Sequence, residues 1–138
     1  MIKIQKKDFI IDDEILKIKS NYSNIGGVSI FIGFVRNINL KKDVKSLDIE
    51  VYNDMAIKQI EKICSEAKKK WSLIDYLVIH RFGTLSLDEK IVLVATFAEH
   101  RKNSFESCNY IMDYLKKDAP FWKNEFYSDI NKWLANSN

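Results

Sequence analysis

Arginine is nearly missing from this chain: only three of its 22 basic residues are arginine, and the rest are lysine. Histidine is scarcer still, and both copies precede an arginine, as His80-Arg81 and His100-Arg101; the remaining arginine is Arg36. Proline occurs once and glycine four times, which argues against a linker or a low-complexity tail. No apolar run approaches the roughly 20 residues that span a bilayer, and the opening Met1-Ile2-Lys3-Ile4-Gln5-Lys6-Lys7 has no leader-like apolar core. The two cysteines, Cys64 and Cys108, stand far apart with no CxxC and no neighbouring histidine, so neither a zinc site nor an internal dithiol is supported. A net charge of +3, with lysines mixed among acids, falls short of the basic excess of a non-specific nucleic-acid binder. The expectation is a cytoplasmic protein with no bound metal, no membrane segment and no nucleic-acid partner.

The 138 residues, 46% of them hydrophobic, suffice for one domain covering 1–138 with a sizeable core. Asp12-Asp13-Glu14 opens a short amphipathic helix carrying Ile15, Leu16, Ile18 and Tyr22, which Gly26-Gly27 breaks. Residues 28–35 are β-rich. Residues 39–45 are polar and predict a mobile connection, and Leu47, Ile49 and Val51 then alternate with polar partners as a strand. Ile57, Ile60, Cys64, Ala67 and Trp71 recur at helical spacing over 54–71, with Asn53 or Asp54 as the cap and Lys68-Lys69-Lys70 in the last turn. Strands are predicted over 76–82 and 90–97, joined by a segment at 83–89. A helix follows over 102–116, with Phe105, Cys108, Met112 and Leu115 on one stripe, and Pro120 prevents its continuation. A short strand at 121–127 and a helical turn at 129–134 complete the chain. Short connections suit antiparallel neighbours, so the fold class is α+β, a single domain with an antiparallel sheet and packed helices.

Guanidinium is planar, permanently charged and forked, and it grips an oxyanion with two parallel hydrogen bonds as ammonium cannot. In a lysine-rich chain, the retained arginines therefore point to anion binding. Arg36 ends a strand. His100-Arg101 stands where a strand hands over to a helix N-terminus, whose free N–H groups and dipole suit a phosphate. Strand alternation puts His80 and Arg81 on opposite faces, so that pair is mainly structural. Both cysteines fall on apolar helical stripes as small buried hydrophobes. Lys116 and Lys123 flank Ala119-Pro120-Phe121-Trp122, where partial desolvation among other cations favours a base or nucleophile. Glu99, Asp113 and Glu125 are unpaired candidate carboxylates. These residues predict a pocket for a small phosphorylated or otherwise anionic molecule, lined by one or two lysines.

Five blocks carry a resemblance. The run Leu115-Lys116-Lys117-Asp118-Ala119-Pro120-Phe121-Trp122-Lys123-Asn124-Glu125 resembles the signature of the large subunit of molybdopterin synthase. So do Gly33-Phe34-Val35-Arg36-Asn37, Glu50-Val51-Tyr52-Asn53-Asp54-Met55-Ala56, Ile79-His80-Arg81-Phe82-Gly83-Thr84-Leu85, and Ala98-Glu99-His100-Arg101 with Phe105, all in the family's order. The resemblance implies an α+β fold with a hammerhead-like part. It implies an enzyme that converts cyclic pyranopterin monophosphate into molybdopterin by adding two sulfurs as a dithiolene, with no resident cofactor. Sulfur would come from the thiocarboxylated Gly-Gly terminus of a small ubiquitin-like subunit. Two large subunits would form the centre of a heterotetramer. By resemblance Lys116 and Lys123 are catalytic, and Phe34, Val35, Arg36, His100, Arg101, Asn124 and Glu125 bind substrate. Asn124 departs from the family, which usually has a basic residue there; Asp88 and Lys41-Lys42-Asp43 lack glycines that family turns often carry. The competing reading is a non-catalytic module that binds a ubiquitin-like tail or a phosphorylated metabolite; retention of both lysines favours catalysis.

Overall fold

The computed structural model describes residues 1–37, 44–127 and 131–135. Its centre is β6 (Lys90–Ala98), a strand apolar on both faces and therefore able to sit only inside a sheet covered on both sides. β6 pairs antiparallel with β4 (Asp75–Arg81) and with β2 (Gly27–Phe34), and β1 (Ile2–Gln5) adds to β4 in parallel, giving the order β1-β4-β6-β2. Helix α1 (Ile11–Lys19) covers one face, where Phe9 and Ile18 pack with Leu77, Ile79, Leu93 and Phe97. Helices α2 (Asn53–Lys70) and α3 (Arg101–Lys117) cover the other through Ile60, Cys64, Ala67, Cys108 and Ile111. A second sheet, β5-β3-β7-β8, comprises β5 (Gly83–Ser86), β3 (Val44–Val51), β7 (Phe121–Tyr127) and β8 (Asn131–Ala135), and its inner residues Leu47, Ile49, Leu85 and Phe121 extend that larger core. The chain turns from the first sheet into the second at Gly83, whose φ of +89° glycine adopts without steric cost.

The α+β class is borne out, as are the three helices, and the structure corrects several details. The described residues form two sheets rather than one, and β1–β4 is a parallel pair. The residues predicted as a helical turn at 129–134 include strand β8, because β7 offers it an open edge from Trp122↔Ala135 to Phe126↔Asn131; pairing overrides local propensity. Strand β1 shows the alternation of Ile2 and Ile4 with Lys3 and Gln5, a period-2 signal too short to weigh. Strand β5 lies inside the predicted connection at 83–89. Of the connection expected at 39–45, residues 39–43 lie outside the described residues, while Val44 and Lys45 already belong to β3. Neither Asn53 nor Asp54 caps α2; Tyr52 holds the cap position with no side-chain bond.

Candidate functional site

Among the described residues strand β2 is an edge of its sheet, and the predicted anion-binding residues Arg36 and His100-Arg101 lie beyond its two ends. The β2–β6 register runs from Gly27↔Ala98 to Phe34↔Lys90. Seven steps along β2 at ~3.3 Å separate those ends by about 23 Å. His100 and Arg101 follow Ala98 at the first end. His100 is exposed, with the extended backbone of an N-cap, and Arg101 is the first helical residue. No acid occupies the first turn of α3, so its free N–H groups and positive dipole end stand beside the Arg101 guanidinium and the His100 imidazole.

Small polar residues fix this helix start, and sequence reading missed them. Ser29 Oγ donates to Ser104 Oγ at 2.7 Å, and Ser104 Oγ donates to the Arg101 carbonyl at 2.8 Å. Thr96 Oγ1 donates to the Ser104 carbonyl at 2.7 Å. All three hydroxyls are buried, so each needs its partner. Together they bolt α3 to β2 and β6 just behind Arg101. Their signal in the sequence is a hydroxyl on each of three otherwise apolar faces. Gly26 adds a second constraint: its N–H donates to Ala98 O at 2.9 Å, and a Cβ there would lie 1.9 Å from the Glu99 carbonyl oxygen.

At the other end of β2, Phe34 is half exposed, Val35 is buried in the core, and Arg36 is exposed. The Val35 backbone is engaged on both sides, donating to Glu89 O and accepting from Asp88 N. Helix α3 runs back along β2 to this end. Its 15 steps from Arg101 to Lys116 cover about 22 Å at ~1.5 Å each, and Leu115 joins Val35 in the same core cluster. Lys116 is exposed and lines a groove of about 470 Å³ between α3 and β2 that also holds Asp113, Met112 and Phe31. After the turn at Pro120, Phe121 is buried and Trp122 faces outward, edge-on to Tyr52 at 5.0 Å. Lys123 is half-buried on β7, paired in register with Ile49. Asn124 and Glu125 stand opposite Asp48 and Leu47 on β3; their side chains lie outside the described set. Glu99 sits 3.5 Å from the Asn24 amide.

Within one chain, Arg36 follows the Phe34 end of β2 and Lys116 stands near the C-terminal end of α3, while His100-Arg101 lies at the other end of β2; Lys123 lies on β7, where its charge acts on the His80 imidazole. His80 and Arg81 are buried and belong to the framework. The Arg81 guanidinium donates twice to Lys6 O and once to Lys90 O, and it lies 3.4 Å from Glu89. Burial pushes the His80 imidazole down to about 4, helped by the nearby charge of Lys123 and opposed by a hydrogen bond to the Arg81 backbone. Burial also raises the Cys64 thiol to about 12 and the Cys108 thiol to about 11. Among the described residues, no cluster of histidine, cysteine and acids is arranged to hold a metal.

Residues 4–118 match the family model described as MoaE protein. The molybdopterin synthase catalytic subunit of Ralstonia nicotianae is 42% identical over 133 residues, covering 96% of this chain and 76% of that protein. The solved molybdopterin biosynthesis MoaE protein from Burkholderia ambifaria superposes with a TM-score of 0.87 at 38% identity, over 100% of this chain and 90% of that one. A complex of subunits 1 and 2 of molybdopterin-converting factor from Helicobacter pylori shares the fold, with a TM-score of 0.80 at 19% identity over 96% of this chain and 88% of the matched one. The chain belongs to the MoaE family, the catalytic subunits of molybdopterin synthase.

Proposed function

We propose that this chain converts cyclic pyranopterin monophosphate into molybdopterin, taking both dithiolene sulfurs from the thiocarboxylated Gly-Gly end of a small ubiquitin-like subunit. The observation that supports this reading, beyond family membership, is that Arg36 follows one end of β2 and Lys116 stands near the C-terminal end of α3, which runs along it, with Lys123 two residues beyond the buried Phe121 on β7. An anionic substrate needs a cationic cradle, and opening of a cyclic phosphate with attack by sulfur needs a nearby proton donor or charge stabiliser. Lys116 and Lys123 fill that role, while Arg36 holds the phosphate. The sulfur-bearing tail is extended and glycine-ended, so backbone hydrogen bonds dominate its docking. The reading treats 1–138 as one domain in the cytoplasm; both cysteines are free thiols, as reducing compartments favour.

The other half of the cradle comes from a second copy. Among the described residues β2 is an edge strand, with Ile30, Phe31 and Phe34 each about half exposed, and Phe105 stands exposed on α3 beside it. Exposed apolar edges are what soluble proteins otherwise avoid. Two β2 strands paired antiparallel about a two-fold axis near Ile30 and Phe31 bury this patch. They also set the Arg36 end of each chain against the His100-Arg101 end of its partner. Two composite sites result, with a small subunit serving each.

The test is reconstitution with a thiocarboxylated small subunit and the cyclic pterin, assayed for dithiolene. Lys116→Ala is expected to lose at least ~100-fold in single-turnover rate while unfolding like wild type, and near-normal turnover would refute the assignment. Arg36→Ala and Arg101→Ala chains, each poorly active alone, are expected to complement when mixed, because about a quarter of the sites then regain both arginines. Mixtures no better than the average of the two parents would refute the composite site.

A further inference from the structure

His80 sits at the seam between the two sheets, in a place the reaction described above does not use. It lies near the end of β4 in the row His80↔Val92 and Val92↔Gly33, which leads to the Phe34 end of β2. Its ring lies flat on Phe121, with centroids 3.7 Å apart and planes 15° from parallel. Phe121 is the first residue of β7, fully buried, and the first link between α3's terminal turn and the second sheet. Alternation along β7 puts Phe121 and Lys123 on the same face. His80 Nδ1 lies 2.8 Å from the Arg81 carbonyl oxygen, which only accepts, so Nδ1 carries the hydrogen and the ring plane is fixed. The Arg81 side chain is in turn tied to Lys6 and Lys90.

We propose that His80 is a positioning residue for Lys123: its imidazole, locked by the Arg81 carbonyl, serves as a flat platform on which Phe121 sets the height and direction of β7 and so the reach of the lysine two residues on. The inference rests on Lys123 acting in the site as described above. Two observations favour imidazole here over an aliphatic side chain. A planar ring matches the face of Phe121 at this spacing, and the imidazole's Nδ1–H reaches the Arg81 carbonyl at the same time. Burial keeps the ring uncharged near neutral pH, as does the Lys123 ammonium, which the imidazole senses directly. His80 therefore adds no second positive charge beside the lysine it supports.

The test uses the reconstituted two-subunit enzyme with His80→Phe, His80→Gln, Lys123→Arg, Lys123→Ala and the His80→Gln/Lys123→Arg double variant. His80→Gln keeps a donor but loses the platform, and it is expected to lower kcat roughly 10- to 100-fold with the pterin KM unchanged. His80→Phe restores the platform and is expected to recover most of that loss. In the Lys123→Arg background, which already misplaces the charge, His80→Gln is expected to add little further loss; such non-additivity marks two residues acting through one contact. Additive losses, or a His80→Phe variant as slow as His80→Gln, would overturn the inference while leaving the site intact. Wild-type turnover in Lys123→Ala would remove Lys123 from the site and this inference with it. Failure of every His80 variant to fold would show that the residue serves the fold alone.

Discussion

The dipeptide His-Arg occurs twice, and the two copies meet opposite fates. At the end of β4, His80 and Arg81 are each 5% exposed, and every stated polar contact they make is to the framework. At the start of α3, His100 and Arg101 are exposed, with no acid in the helix's first turn. The difference lies in the elements. A strand inside a covered sheet must satisfy whatever polar groups it buries, whereas a helix N-terminus leaves donors pointing outward with nothing to meet. An identical pair of side chains is a structural bolt in one place and, on the function proposed above, half an anion cradle in the other.

That contrast breaks most visibly at Arg81. Arg81→Ala removes the donors to the Lys6 and Lys90 carbonyls and leaves Glu89 with the Ser86 N–H but, among the described residues, no cation, so it is expected to cost about 3–5 kcal/mol of stability by urea unfolding. A loss below about 1 kcal/mol would mean that the buried copy is dispensable. Next comes the pH response of His80. The folded state holds the imidazole near 4 against its ordinary 6.5, so between those values the unfolded chain binds the proton and the folded chain does not. Stability from this residue is complete above pH 6.5, falls as pH drops and levels off near pH 4, a total on the order of 3 kcal/mol. His80→Phe should remove that slope, seen as a wild-type-minus-variant difference that shrinks from pH 7 to pH 4; a constant difference would contradict it. The smallest effects are expected at the exposed copy. Arg101→Lys should weaken pterin binding roughly tenfold by calorimetry, because an ammonium cannot hold two phosphate oxygens, while unfolding within about 0.5 kcal/mol of wild type. A stability loss there comparable to that of Arg81→Ala would erase the distinction between the copies.

Much of this was legible from residue order. Helical spacing marked α2 and α3, Pro120 marked the end of α3, and strand alternation assigned His80-Arg81 to the framework. Rare arginines pointed to Arg36 and His100-Arg101. What stayed hidden depends on distant pairing. β8 forms because β7 has a free edge, and β5 because β3 has one; neither has a local signal stronger than a turn. Nor does sequence order reveal that Arg36 and Arg101 lie at opposite ends of one strand, since that follows from the β2–β6 register. The Ser29–Ser104–Thr96 bolt was likewise invisible, because isolated hydroxyls in apolar runs are common and only packing shows that they meet.

The two cysteines matter for what they cannot do. A thiocarboxylate is an acyl donor, and a thiolate in reach would take its acyl group as a thioester and release its sulfur as sulfide. Cys64 is fully buried and Cys108 nearly so, and burial lifts their thiols to about 12 and about 11. At neutral pH thiolate is then rarer by about two orders of magnitude or more than in an ordinary exposed cysteine. The helices that build the core thus quarantine the chain's own sulfur from the sulfur in transit. Thioester formation at either cysteine, with loss of the transferable sulfur as sulfide, is thereby disfavoured by hydrophobic packing rather than by any residue of the site.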